Sequence, residues 1–221
     1  MDSTTRSWTL FGLVIALLAM PILMALFNAF EIPRTPGNVL IREMVVFVLA
    51  GILIAVIRFR ERLGWHSVGL GRAPLGNTVV WVLIGLVGVA VAIAASFGVI
   101  TLFGWKFGGS QGGSAEALPL WVTLIVVIRA GFVEELFYRG YAIERLESLT
   151  GNRVLAVALP LLLFALFHYR QGWAGITIAL LTGAVLTAVY MYKRNLWVTI
   201  TTHFLVDFVP NVLVPMFGSE S

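Results

Sequence analysis

Apolar residues run along this chain in long blocks separated by short breaks rich in charge, glycine or proline. A helix needs about 20 predominantly apolar residues to cross the hydrocarbon core. Blocks of roughly that length lie at about 8–30, 39–57, 78–103, 119–143, 154–172, 174–192 and 196–217. The clearest breaks are 31–38, the arginine-rich 58–72 and the glycine-rich 104–117; only Arg170, Gln171, Gly172 and Trp173 part the fifth block from the sixth. The pattern predicts an all-α fold, a polytopic transmembrane helix bundle of about seven spans forming one membrane domain over 1–221. The first block is too long, and lacks the small-residue cleavage site, to read as a removable signal peptide.

Composition agrees and narrows the chemistry. The 221 residues are 59% hydrophobic and 12% charged, with mean hydropathy +0.95, whereas soluble chains carry about 25% charged residues. There is no cysteine, which removes disulfides, thiolate metal sites and cysteine nucleophiles together. Basic residues bias orientation, because cytoplasmic loops retain Lys and Arg. With the N-terminus cytoplasmic, the inside receives Arg6, Arg58, Arg60, Arg62, Arg72, Arg139, Arg145, Arg153, Lys193 and Arg194, and the outside Arg34, Arg42, Lys106 and Arg170. The net charge of +4 then reads as an orientation signal and a contact with anionic lipid. It does not read as a nucleic-acid surface, since it is spread over several loops. Tryptophans 8, 81, 105, 121, 173 and 197 fall near block ends, where their rings favour the interface. In the third block Gly88, Ala92 and Ser96 recur every four residues, a spacing for close helix packing. Pro21, Pro160, Pro210 and Pro215 fall inside blocks and are expected to kink them.

Charges inside a bilayer are costly, about 2.5–3.5 kcal/mol each at a helix centre on insertion scales, so they face a cavity or a partner. Here they gather late: Arg129, Glu134, Glu135 and Arg139 in the fourth block, His168 in the fifth, His203 and Asp207 in the seventh. On an α-helix residues four apart share a face. Glu135 is therefore expected to pair with Arg139, leaving Glu134, about 140° from Arg139, unpaired on another face. By the same spacing His203 meets Asp207, and Phe164 lies beneath His168. Arg129 is expected to snorkel or to pair with Glu43, with Asp207 as the alternative partner.

These residues carry a resemblance. Glu134-Glu135-Leu136-Phe137-Tyr138-Arg139 resembles the EExxxR motif of the CPBP family, the Abi-like intramembrane endopeptidases that include the CAAX prenyl proteases. Phe164 to His168 is similar to its FxxxH motif, and His203 to Asp207 to its HxxxD/N motif. The three occur in the family's order, each in an apolar block. The resemblance implies a catalytic core over 119–210 preceded by accessory spans over 1–118. It implies a peptidase in which Glu134 is the general base, His168 orients the attacking water, and His203 with Asp207 stabilises the oxyanion; Glu135, Arg139 and Phe164 support them. Aspartate at 207, where eukaryotic-type members carry asparagine, sets a condition, since an ionised carboxylate repels an oxyanion. Asp207 is then protonated, or it holds His203 as a cationic donor in the manner of a catalytic triad; the second is preferred.

Counting excludes other membrane proteases. An aspartyl dyad needs two membrane aspartates and only Asp207 qualifies; a serine enzyme lacks a suitable nucleophile; an HExxH zinc motif is absent. No cofactor is expected, although Glu134, His168, His203 and Asp207 are also a ligand set for Zn²⁺. A non-proteolytic immunity or scaffold protein of the same family is the other alternative. A proton-coupled transporter predicts pseudo-symmetric halves, which the one-sided distribution of polar residues does not match. The expected partners are membrane lipid and a peptide or lipidated-peptide substrate. The expected location is a prokaryotic cytoplasmic membrane, with access to the site from the cytoplasmic side.

Overall fold

The computed structural model describes residues 2–108 and 118–218, and among these there is no strand. Most of the expected 104–117 break lies outside the described residues. The helices follow the apolar blocks: α1 Ser3–Ala29, α2 Pro36–Ala55, α3 Leu75–Phe103, α4 Leu120–Arg129, α5 Glu144–Thr150, α6 Arg153–Leu166, α7 Gly172–Lys193 and α8 Leu196–Phe208. Polar residues start several of them. Asp2 accepts from the Thr5 amide, Thr35 from Asn38 with Pro36 in the first turn, Asn152 from Leu155, and Asn195 from Trp197; each satisfies an amide the helix itself cannot.

Two features depart from a regular α-helical reading. Between α4 and α5 the chain winds as a π-helix over Ala130–Ile143, so that α4, this segment and α5 form one rod. The fifth element is also shorter than its apolar run, because α6 ends at Leu166 and a 3-10 turn, Tyr169–Gln171, follows. Among the described residues, five helical stretches are long and apolar enough to cross a membrane: Ser3–Ala29, Pro36–Arg60, Leu75–Phe103, Tyr169–Lys193 and Leu196–Phe217. The charged rod and the short α6 are not among them. The protein is an integral membrane helix bundle.

The rod lies at the centre. Every residue from Ala130 to Ile143 except Phe132 is buried, and the rod packs against α1, α2, α6 and α8. The outer helices present apolar side chains outward, among them Leu83, Val87 and Val91 on α3, as a lipid-facing surface requires. The small-residue face of α3 turns inward as expected. Ala92 and Ser96 are buried, and a Cβ on Gly88 would come within 2.8 Å of Val185 on α7.

The two ends of the bundle differ. At one, Glu61 takes hydrogen bonds from Thr9 (2.8 Å), Tyr141 (2.9 Å) and Arg145 (2.9 Å), while Arg194 pairs with Glu144 (2.6 Å) and Glu147 (2.7 Å). Arg60 lies over Trp8, and Lys193 over Trp81. At the other, the 30–35 turn, the end of α3 and the 167–171 turn come together. Asn28 bonds Tyr169 (3.1 Å) and accepts from Arg170, and Trp105 lies 6.1 Å from Trp173. The basic residues expected inside therefore cluster at the first end. Arg139 is the exception and sits buried in the middle of the rod.

Candidate active site

Glycine lets α8 meet the rod. A Cβ on Gly131 would lie 2.9 Å from the Cβ and 3.0 Å from the Cα of Phe204; one on Gly140 would lie 2.8 Å from Leu196 and 2.9 Å from the Val68 carbonyl. Backbones this close carry His203 on to the rod, where its Nδ1 lies 2.8 Å from Glu135 Oε1. The same oxygen accepts from Arg139 Nη1 at 2.8 Å, which is the expected i,i+4 pair. Arg139 is fixed further by a bond to the Gly183 carbonyl (3.2 Å), and its guanidinium stands 4.3 Å over the Phe164 ring.

Glu134 is not unpaired. Its carboxylate accepts from Arg129 Nη1. Arg129 Nε in turn donates to Glu43 Oε2 at 2.5 Å, and Glu43, wholly buried, accepts from Arg42 at 2.6 Å through its other oxygen. Four alternating charges thus run from α2 into the rod. The physical reason is the winding. A π-helix bonds residue i to i+5, so Arg129, five positions before Glu134, comes alongside it, as regular α geometry does not allow. Arg129 accordingly pairs with Glu43 and Glu134 rather than with Asp207.

His168 is placed by the end of α6 and not by its face. It lies two residues past the last helical position, with Nδ1 2.9 Å from the Phe164 carbonyl. A carbonyl only accepts, so Nδ1 carries the proton, and Nε2 of the neutral ring is left as an acceptor. The expected stacking on Phe164 is present, edge to face at 5.1 Å, and the same Phe164 ring lies 6.2 Å from His203 and 5.4 Å from Tyr138. Asp207 stands 3.5 Å from His203 Nε2, and its side chain is partly exposed. Both nitrogens of His203 therefore face carboxylates, an arrangement satisfied by a ring with a proton on each nitrogen.

Glu134, His168, His203 and Asp207 all line one cavity of about 1810 Å³, together with Arg129 and Phe164. Glu135 and Arg139 lie beneath its floor, outside the lining. Access was expected from the end carrying most of the basic residues, which the charge count takes as cytoplasmic. The cavity is lined by Asn28, Glu31, Arg34 and Arg170 at the opposite end, and no residue of the 56–75, 144–153 or 193–196 segments reaches it. Three features around the cavity lie outside what the sequence pattern shows. These are the Glu43–Arg42 pair on α2, the contact between Glu135 and His203, and the Tyr138 hydroxyl, which is buried without a hydrogen-bond partner among the described residues. A buried glutamate in the otherwise apolar second block was the available signal for the first.

Among the described residues no three His, Cys, Asp or Glu side chains gather into a group able to hold a metal ion. Glu134 is occupied by Arg129, and both nitrogens of His203 are turned to carboxylates.

No curated protein and no solved structure matches the chain significantly. Residues 116–209 match the family model described as type II CAAX prenyl endopeptidase Rce1-like. That stretch contains the whole rod, α6, α7 and α8, and with them all three motifs. Over that stretch the chain is similar to the Rce1-like, CPBP family of intramembrane proteases.

Proposed function

We propose that this protein is an intramembrane endopeptidase that hydrolyses a peptide bond of a membrane-associated substrate with water activated by Glu134 and His168. What carries the reading is that Glu134, His168, His203 and Asp207 all line one cavity that opens between the helices. A substrate carbonyl enters beside Glu134. The water donates one hydrogen bond to the free Nε2 of His168 and gives its proton to the Glu134 carboxylate as its oxygen attacks the carbonyl carbon. The carbonyl oxygen becomes an oxyanion and takes a hydrogen bond from His203 Nε2–H. When the C–N bond breaks, the proton held by Glu134 passes to the leaving amine, which restores the carboxylate.

The oriented histidine follows triad logic with a change of partner. Glu135, at 2.8 Å from Nδ1, is the carboxylate that fixes the ring. Asp207, at 3.5 Å, shares Nε2–H with the oxyanion and yields it as charge develops. Arg129 holds the Glu134 carboxylate at the cavity wall from the far side. The substrate class is a peptide or lipidated peptide held at the membrane, and the location is the cytoplasmic membrane of a prokaryote.

The test compares wild type with Glu134→Ala, both purified and reconstituted, on a panel of tagged membrane-anchored peptides. Cleavage products are expected only with wild type. Equal processing by both proteins overturns the assignment.

A further inference from the structure

The cavity and the basic residues occupy opposite ends of the bundle, and together they fix which side of the membrane supplies the substrate. We infer that the site opens on the extracytoplasmic face and takes exported, membrane-anchored peptides rather than peptides presented from the cytoplasm. The inference rests on the protease reading only in calling the occupant a substrate; the sidedness of the cavity stands without it.

Three observations carry it. First, basic residues are retained on the cytoplasmic side when they lie in short loops near span ends. The loop between α2 and α3 carries Arg58, Arg60, Arg62 and Arg72, and the turn between α7 and α8 carries Lys193 and Arg194. At the other end the described loops carry Arg34, Lys106 and Arg170, with Arg42 two turns into α2. Second, the cavity mouth is made of exposed residues of that less basic end. Glu31 and Arg34 line it from the α1–α2 turn, Arg170 from the α6–α7 turn, and Pro210 and Asn211 from beyond α8.

Third, the basic end is closed. Below Glu134 and His203 the bundle is filled by Leu136, Phe137, Tyr138 and Tyr141, all with no exposed surface. Beyond them the Glu61 carboxylate is held by Thr9, Tyr141 and Arg145, and Arg145 also bonds the Ser67 carbonyl at 3.0 Å. A buried, hydrogen-bonded ion pair tying α1, α5 and the α2–α3 loop together leaves no path for an extended peptide from that side.

The chain contains no cysteine, so single cysteines report topology on an otherwise silent background. Arg34→Cys, at the mouth, and Arg72→Cys, in the basic loop, are each expressed in a bacterial host and treated as intact spheroplasts with a membrane-impermeant maleimide. Arg34→Cys is expected to label fully without permeabilisation. Arg72→Cys is expected to label only after detergent. The reverse pattern, or labelling of both in intact cells, overturns the inference. Asn211→Cys serves as a second mouth position if Arg34→Cys does not accumulate. Because the readout is a label and not a cleavage product, an inactive protein with the expected labelling sinks the protease reading and leaves the sidedness intact.

Discussion

The charge ladder from α2 to the rod makes an ordered set of stability losses. Arg129 is buried between two carboxylates, Glu43 and Glu134, whereas Glu43 lies between two cations, Arg129 and Arg42. Glu43→Gln keeps the shape and removes one charge. Arg129 then retains Glu134, and Arg42, the most exposed member of the ladder, can be solvated. The loss is that of charge-assisted hydrogen bonds, about 1.5–3 kcal/mol. Arg129→Gln is different in kind. Glu43 still has Arg42, but Glu134, only 5% exposed, is left without a counter-ion, and stranding a buried charge costs about 3–5 kcal/mol. Reversible unfolding in mixed micelles, followed by tryptophan fluorescence, measures both. The double variant should cost less than the two single losses added together, because the two residues share one interaction. If Glu43→Gln proves the more damaging change, or if Arg129→Gln costs under about 1 kcal/mol on the scale of an exposed pair, the ladder does not hold the rod in the way argued.

Two further outcomes follow from the packing around His203. Gly131→Ala drives a methyl against the Phe204 backbone, where overpacking typically costs about 1–3 kcal/mol, and it should reduce cleavage by moving His203 off Glu135; Gly98→Ala, in open space, is the neutral control, and equal effects of the two would remove the argument from close approach. Among the carboxylates around His203, Glu135→Gln is expected to lower kcat far more than Asp207→Asn, which should keep substantial activity with a changed pH–rate profile; the opposite order in a steady-state assay would return the orienting role to Asp207.

Much of this arrangement was legible in the chain. Seven apolar blocks became helices within a few residues of their expected limits, except at the junctions around 143 and 166, and the small-residue face of α3 and the Glu135–Arg139 pair are where spacing puts them. Residues of all three motifs line the same cavity. What spacing misses is winding and distance. The partner of Glu134 was misread because azimuths were taken at 100° per residue along a segment that winds as a π-helix. His168 was assigned to a helix because Phe167 continues the apolar run, although the helix ends at Leu166. Glu43 meets Arg129 across 86 positions of sequence, and no local pattern encodes that contact. The direction in which the cavity opens depends on the packing of Phe137 and Tyr141 against other helices, which a one-dimensional charge count does not contain.

The rod also constrains the order in which the protein is made. Arg129, Glu134, Glu135 and Arg139 lie within eleven consecutive positions, and at about 2.5–3.5 kcal/mol for each central charge a segment so loaded gains nothing by leaving the translocation channel for lipid on its own. Its counter-ion Glu43 belongs to α2, which emerges from the ribosome earlier. The nascent chain therefore presents a docking partner before the segment that needs it. Glu43 on α2 is thus in place before the segment whose Arg129 it pairs with is made.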